Sequence, residues 1–243
     1  MLCLMKMLVS VLLLVGVLQN CYADNRSYVW TYEYKTMPKG EIEFEYYNTL
    51  EWSNKSDSKT NIWKHWFELE YGITDNLDIS MYQQFKQANS STSANVKFEY
   101  DGMKIRTRYK IGNKESFFVD PLLYLEFKRN DDFASPNVIE AKLILGKDID
   151  NFNIAVNYIL DDVELVSTAK PAAHKYSGGL SYEFSPVLKI GVESTGSFSA
   201  EKHYLGPTIS FARSKIWANF GVIYGLNTKS DYTQVRTLIG IFL

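Results

Sequence analysis

The sequence predicts an all-β protein that closes as a transmembrane antiparallel up-and-down β-barrel of about 12 strands, with an extra N-terminal strand segment. Three observations predict this fold. An export signal opens the chain, strands with one apolar face repeat from residue 26 to the last residue, and no apolar run after residue 23 approaches the ~20 residues of a spanning helix. In lipid, such a sheet must close so that no strand edge stays unpaired. A soluble periplasmic β-protein with one buried face is an alternative.

Residues 1–23 have the pattern of a cleaved signal peptide. Lys6 supplies the positive charge, Met7 to Leu18 form an apolar core, and Cys21-Tyr22-Ala23 places small residues before a cleavage site. The mature protein is therefore expected to begin at Asp24. The alternatives are a membrane anchor, for which the apolar core is short, and a lipoprotein at the cysteine of the cleavage site.

The composition of the mature chain, residues 24–243, excludes several classes of function. Cleavage removes Cys3 and Cys21, and with them any disulfide, thiolate metal site or cysteine nucleophile. It also removes Lys6, which leaves one basic residue fewer than the 26 of the full sequence against 28 acidic residues. A slightly acidic chain lacks the basic footprint of nucleic-acid binding, so we expect no nucleic-acid partner.

The clearest strand runs from Glu41 to Trp52, where apolar or aromatic residues alternate with a row that includes four glutamates. Alternate side chains of a strand point to opposite faces, so one face is apolar and the other acidic. Arg26 to Met37 alternates in the same way and ends at the turn Pro38-Lys39-Gly40. The later apolar rows fall at residues 63–71, 77–85, 96–111, 117–127, 139–145, 152–160, 176–184, 188–192, 205–211, 218–224 and 235–243.

One strand changes its apolar parity partway along. Val96, Phe98 and Tyr100 are apolar at even positions, whereas the apolar residues from Met103 onward stand at odd ones. The change falls at Asp101-Gly102, where one extra residue would restore the facing pattern. The sequence therefore predicts a β-bulge there.

The connections alternate in length, as expected for a barrel with short periplasmic turns and longer external loops. Short connections are predicted after Met37, Tyr71, Ile111, Gly146, Phe184 and Ala212. Longer polar connections are predicted near residues 53–60, 87–95, 129–136, 161–174, 196–202 and 225–232. Counting back from the C-terminus gives twelve strands from about Glu41, which leaves Arg26 to Met37 as the extra segment. That segment could line or plug the lumen, or extend the seam. Trp52 and Trp63 flank the first long loop, where an aromatic girdle is expected.

Two hairpins resemble a known group of proteins. Tyr71 to Ile79, Y-G-I-T-D-N-L-D-I, is similar to a hairpin that recurs in uncharacterised Gram-negative outer-membrane β-barrels, loosely of the MetA-pathway phenol-degradation transporter type. Glu140 to Glu164 resembles a second such hairpin. The resemblance implies a barrel in the outer membrane, with the membrane lipids and the barrel-assembly machinery as partners, and at most a transport role. The C-terminus departs from the common pattern, because Phe242 is penultimate and Leu243 is last.

The residues that could carry catalysis or bind a metal are few. His65, His174 and His203 have no metal-ligand spacing with one another, so we expect no metal site and no cofactor. An outer-membrane esterase would need a histidine beside a nucleophilic serine. Only His174 and Ser177 are close, and three residues apart on a strand they point to opposite faces. We therefore expect that the protein is not an enzyme.

The charged residues alternate with the apolar rows and are predicted to face the lumen, because a charge on the lipid face costs ~2–4 kcal/mol for Arg or Lys at the membrane centre. The lumen-facing charges are predicted to be Glu43, Glu45, Glu68, Glu70, Lys104, Arg106, Arg108, Lys110, Glu126, Glu140 and Lys142. An acidic wall then faces a basic one across a narrow channel for small hydrophilic or amphipathic solutes, and we hypothesise that Arg106 and Arg108 set its ion preference. The alternative is a closed structural or interaction barrel, in which these charges pair in a packed lumen.

Overall fold

The computed structural model describes residues 26–165 and 171–243, with the backbone alone for residues 93–95. The predicted signal peptide, residues 1–23, lies outside these ranges. Twelve antiparallel strands follow one another: β1 (Ile42–Trp52), β2 (Asn61–Thr74), β3 (Leu77–Ser90), β4 (Ser93–Lys110), β5 (Asp120–Asn130), β6 (Val138–Ile149), β7 (Phe152–Glu164), β8 (Ala173–Ser185), β9 (Leu188–Ser197), β10 (Lys202–Arg213), β11 (Ile216–Gly225) and β12 (Thr233–Phe242).

The sheet closes on itself, because β1 pairs with both β2 and β12 and every other strand pairs with its neighbours in sequence. The closing register joins Glu43 to Phe242 and Trp52 to Thr233. The predicted all-β barrel of twelve strands, starting close to Glu41, is therefore confirmed. Within the described ranges no helix is long and apolar enough to cross a membrane.

The two ends of the barrel differ in their connections. One end, which we call the turn end, carries residues 75–76, 111–119, 150–151, 186–187 and 214–215, together with the start of β1 and the end of β12. The other, which we call the loop end, carries residues 53–60, 91–92, 131–137, 198–201 and 226–232, together with residues 165 and 171–172. In the usual topology of these barrels the turn end is periplasmic and the loop end external.

The strands present an apolar row outward and a polar row inward. Leu69, Leu125 and Val156 are each about half exposed on the outer surface, whereas the neighbouring Glu68 and Glu126 are buried inside. An apolar outer surface of this kind is suited to hydrocarbon, and closure of the sheet leaves no strand edge unpaired in lipid.

The predicted bulge in β4 is confirmed. Gln84 pairs with Gly102 and the next residue, Phe85, pairs with Tyr100, so Asp101 is the extra residue. Gly102 has φ +124°, a backbone conformation that L side chains rarely adopt.

Two predicted connections are wrong. The polar stretch 87–95 is not a loop, because β3 and β4 continue through it to a turn at residues 91–92. Its polar residues are compatible with a strand because they bond across the sheet; Asn89 Nδ2 donates to Asn61 Oδ1 of β2 at 2.7 Å. The connection predicted to be short after Ile111 runs from residue 111 to 119, so that Phe117 precedes β5 instead of lying in it.

The extra N-terminal segment also differs from its prediction, because residues 26–37, which we call the inner segment, form no strand. The inner segment curls back on itself, as Ser27 donates from both its backbone N and its Oγ to the carboxylate of Glu33 at 2.8 Å. It then leaves at the turn end, where Met37 N donates to Asp78 Oδ2 at 3.0 Å. The sequence left three positions open for this segment: it could line the lumen, plug it or extend the seam. In the structure the segment plugs the lumen.

Candidate functional site

The inner segment is held by polar side chains of the barrel wall. The buried carboxylate of Glu193 on β9 accepts the backbone N–H groups of residues 29, 30 and 31 at 2.7, 2.8 and 2.9 Å. Asn157 on β7 accepts from Tyr32 N at 2.8 Å and donates to the carbonyl of the same residue at 2.9 Å. These bonds replace the strand pairing that the segment lacks, and those to a carboxylate are among the strongest in proteins.

The start of the inner segment is tied to three further strands. The carbonyl of Arg26 accepts Ser210 Oγ at 2.6 Å and Asn219 Nδ2 at 2.7 Å. Its guanidinium donates to the Tyr47 hydroxyl at 2.7 Å and to Glu45 at 3.3 Å. Glu45, one of the predicted lumen charges, is therefore a partner of the plug.

Glycines in the wall make room for the inner segment. A Cβ at Gly179 would lie 2.4 Å from the ring of Tyr28, and one at Gly221 would lie 2.5 Å from Val29 Cγ2. Gly146 is approached by the segment in the same way, at 3.0 Å. A Cβ at Gly179 or Gly221 would overlap the inner segment as it lies, so these two wall positions fit the plug as glycine, whereas Gly146 is a tight contact.

The inner segment separates two cavities in the lumen. The loop-end cavity has a volume of about 320 Å³, and residues 26, 29, 30 and 32 form part of its lining. The turn-end cavity has a volume of about 360 Å³ and is lined by residues 27, 33 and 35 of the same segment, with wall residues of β6 to β9. The inner segment is thus a partition between the two cavities.

The loop-end cavity carries more cations than carboxylates. Its cations are Arg26, Lys64, Lys104, Lys128, Lys142, Lys175 and Arg236, and its carboxylates are Glu126, Glu140 and Asp161. Aromatic rings complete the lining, among them Trp30, Tyr32, Tyr47, Trp66, Tyr82 and Tyr124. A recess with an excess of one charge concentrates ions of the opposite sign, so the cavity favours anionic solutes.

The arginines predicted to set ion preference lie in a packed cluster behind the lining of this cavity, where Arg106 donates to the hydroxyl of the lining residue Tyr82 at 2.7 Å. Arg106 is fully buried and contacts Glu68 at 2.9 Å, and it bonds Glu70 as well. Arg108 pairs with Glu70 and, at 2.7 Å, with Asp78. Removing one partner of a buried pair leaves an uncompensated charge, at a cost of about 3–5 kcal/mol. The cluster therefore stabilises the wall beneath the inner segment.

The other predicted lumen charges also lie inside the barrel. Lys104 and Glu126 form an ion pair at 3.1 Å in the loop-end cavity, and Lys142 and Glu140 form another at 2.8 Å. Two more predicted charges lie towards the turn end: Glu43 accepts a hydrogen bond from Trp217 Nε1, and the ammonium of Lys110 lies 5.9 Å from the ring centre of Tyr34. Of the basic row on β4, only Lys104 lines the loop-end cavity.

Three buried carboxylates, Glu45, Glu68 and Glu70, lie within 4.8 Å of one another, close enough to share a cation. Guanidinium groups already occupy this position: Arg26 pairs with the first, and Arg106 with the other two. The cluster is therefore an internal ion-pair network.

The sequence did not single out several residues that shape the site. Glu193, Arg236 and Trp30 contribute to the plug or to the loop-end cavity, as do Lys128 and Asp161. For the strand residues the sequence does hold a signal, because each directly follows an apolar residue of its strand. No sequence signal pairs Glu193 with a segment that lies more than half the chain away.

The histidines lie towards the loop end of the barrel and contact tyrosines. His174 is exposed, with its Nδ1 2.6 Å from the Tyr158 hydroxyl, whereas Ser177 is buried in the lumen and donates to Asn157 at 3.0 Å. The two residues are therefore on opposite faces of β8, as their spacing predicts, and cannot act as a nucleophile and its base.

Comparison with known proteins gives a likeness of fold. No protein-family model matches the chain, and no curated protein is detectably similar in sequence. The KdgM porin in complex with disordered oligogalacturonate is similar with a TM-score of 0.58 at 12% identity, over 82% of this chain and 98% of that one. The NanC porin has a TM-score of 0.51 at 11% identity, over 82% and 98%. The translocator domain of the autotransporter NalP from Neisseria meningitidis has a TM-score of 0.50 at 6% identity, over 83% and 88%. The architecture is thus that of Gram-negative outer-membrane β-barrels.

Proposed function

We propose that this chain is a Gram-negative outer-membrane barrel that passes small hydrophilic or amphipathic solutes through its lumen, as a narrow channel or transporter that the inner segment partly obstructs. The observation that carries the proposal is the pair of charged cavities on the two sides of that segment. A fully packed barrel would need no such space at either end. The proposal assigns the protein no enzymatic activity.

Charge in the loop-end cavity supports a preference for anionic solutes, because its cations outnumber its carboxylates. The fold shared with the KdgM and NanC porins also supports a channel. The KdgM structure that resembles this chain is a complex with oligogalacturonate, a chain of carboxylated sugars. The hairpins at Tyr71–Ile79 and Glu140–Glu164, which resemble MetA-pathway phenol-degradation barrels, support a transport role and extend the candidates to amphipathic solutes.

A closed structural or interaction barrel is the second candidate. It is favoured by the bonds of Glu193 and Asn157, which fix the inner segment in the lumen. In that case the segment would be a permanent part of the core, and the loops would meet external partners.

Ion conductance in planar bilayers tests the proposal. The folded mature protein, verified by its heat-modifiable mobility on gels, should show discrete conductance steps. In a salt gradient its reversal potential should indicate anion preference. Folded protein that never conducts would favour the closed barrel, and a cation preference would contradict the charge argument.

A further inference from the structure

Arg236 on β12 differs from the other cations of the loop-end cavity. Its Nε donates to Thr49 Oγ1 at 2.9 Å and its Nη1 to the carbonyl of Val29 at 3.2 Å, and both acceptors are neutral. Within ranges 26–165 and 171–243 it has no carboxylate at ion-pair distance. Glu51, on the neighbouring strand β1, is bound by Lys64 at 2.8 Å.

Each of the other cations of this cavity has a carboxylate partner. The pairs are Arg26 with Glu45, Lys64 with Glu51, Lys104 with Glu126, Lys128 with Glu140, Lys142 with Glu140 and Lys175 with Asp161. Arg236 is therefore the cavity cation that has no ion-pair partner in the described part of the chain. A partly buried cation without a direct carboxylate partner is costly, and such groups are common in binding sites.

Two indole groups beside Arg236 also lack partners. The guanidinium carbon lies 5.3 Å from the ring centre of Trp30 and 5.7 Å from that of Trp66. Both tryptophans line the loop-end cavity, and in the described structure neither buried Nε1 donates a hydrogen bond. An indole N–H can only donate, so each of these two groups requires an acceptor, such as a carboxylate oxygen.

We propose that Arg236, together with the indole N–H groups of Trp30 and Trp66, binds the carboxylate group of a small ring-bearing solute in the loop-end cavity. This inference rests on the proposed function and names the class of solute for the same cavity. A planar guanidinium matches the two oxygens of a carboxylate, and the indole donors add to the same acceptor.

The surroundings of the site favour a singly charged ligand with a ring. The other six cations of the cavity already have carboxylate partners, so a solute needs only one negative charge to supply the partner that Arg236 lacks in the described part of the chain. Trp30, Tyr32 and Trp66 are partly exposed in the lining and offer aromatic surface to the body of the solute. The volume of about 320 Å³ is in the range of small-molecule sites.

Calorimetric titration of the folded mature protein in detergent tests the site, with D-galacturonate and its uncharged counterpart D-galactose as probes. Galacturonate should bind at least about tenfold more tightly than galactose, since a charge-assisted hydrogen bond contributes about 1.5–3 kcal/mol. Arg236→Gln should weaken galacturonate binding by about tenfold or more, and Arg236→Lys should restore part of the loss because it keeps the charge.

The matched control is Lys202→Gln. It removes one positive charge at the same end of the barrel, from a side chain that pairs with Asp231 at 3.3 Å outside the cavity lining. We expect it to bind galacturonate as the unchanged protein does. Trp30→Phe and Trp66→Phe keep an aromatic ring but remove the donor, and each should weaken galacturonate more than galactose.

Three results would overturn the site: no galacturonate binding by the folded protein, equal affinity for both sugars, or unchanged affinity in folded Arg236→Gln. Because binding is measured without conductance, failure of the site and failure of the channel are separable. If the protein binds galacturonate through Arg236 but never conducts, the channel proposal is wrong and the binding site stands. If it conducts but shows no Arg236-dependent binding, the binding site is wrong and the channel proposal stands.

Discussion

At the scale of single residues, the lumen contains two kinds of charge. Arg106 and Arg108 are enclosed by Glu68, Glu70 and Asp78, with no contact to either cavity. The lysines of the loop-end cavity are paired but border open space. Charges of the first kind stabilise the barrel, and those of the second kind are placed to act on a solute.

Arg106→Met should lower the free energy of unfolding by about 3–5 kcal/mol, because it leaves buried carboxylates without their cation. Urea unfolding in detergent, followed by tryptophan fluorescence, measures the change. Lys128 would be a poor control position, because its ammonium has three carboxylate partners. A better control is Lys229, which forms an exposed pair with Glu201 at 2.5 Å. Lys229→Met should change stability little, and equal losses in both variants would contradict the distinction.

Lys104→Glu should shift the reversal potential in a salt gradient towards cations, because Lys104 is the member of the basic row that lines the loop-end cavity. The hypothesis that Arg106 and Arg108 set ion preference remains a prediction, tested by reversing both to Glu in the same assay. A larger shift in that double variant than in Lys104→Glu, with assembly intact, would show that the conduction path passes the arginine cluster.

At the scale of elements, the inner segment depends on a wall shaped to receive it. Gly179 faces inward against Tyr28, whereas the adjacent Gly178 faces outward and a Cβ there would meet its neighbours at no less than 3.4 Å. The two glycines therefore form a natural pair of test and control positions.

Gly179→Leu should displace the inner segment, because a side chain cannot share the space of the Tyr28 ring. Displacement would expose Arg26 and Lys35, so brief trypsin treatment of the folded protein should cut the segment, with the products read by mass spectrometry. Gly178→Leu should remain resistant. Resistance in both variants, with both barrels folded, would mean that the segment does not need the glycine.

The two faces of β6 should tolerate opposite substitutions. Leu143 faces outward and Lys142 faces the lumen, where it pairs with Glu140. Leu143→Arg would place a charge against lipid at a cost of ~2–4 kcal/mol near the membrane centre and should impair assembly. Lys142→Leu should assemble, because Lys128 still pairs with Glu140 at 2.8 Å. Equal assembly of both, judged by heat-modifiable mobility, would contradict the assignment of faces.

At the scale of the whole molecule, alternation was enough to predict the closed barrel, its strand count and the bulge at Asp101-Gly102. Alternation wrongly predicted a strand at residues 26–37. Aromatic residues alternate there as in a strand, but the backbone groups of the segment bond to wall side chains such as Glu193 and Asn157. Bonds of that kind leave no periodic pattern in the sequence. The stretch 87–95 misled for the opposite reason, since paired strands can continue through polar residues.

The location of the protein follows from the same architecture. Cell fractionation should recover the mature chain, beginning at Asp24, in the outer membrane, and its extraction should require detergent. An apolar outer surface as extensive as this one is unstable in water. Recovery in the soluble periplasmic fraction without detergent would contradict the membrane barrel.

The inner segment lies between the two cavities of the lumen. Single-channel conductance of the mature protein, compared with that of a variant lacking residues 26–37, tests most directly whether the segment obstructs the path through them. Removal of the segment joins the two cavities into one path, so the variant should conduct steadily and at a higher level than the intact protein. If the variant folds as a barrel and its conductance is no greater than that of the intact protein, the inner segment is not what obstructs the lumen.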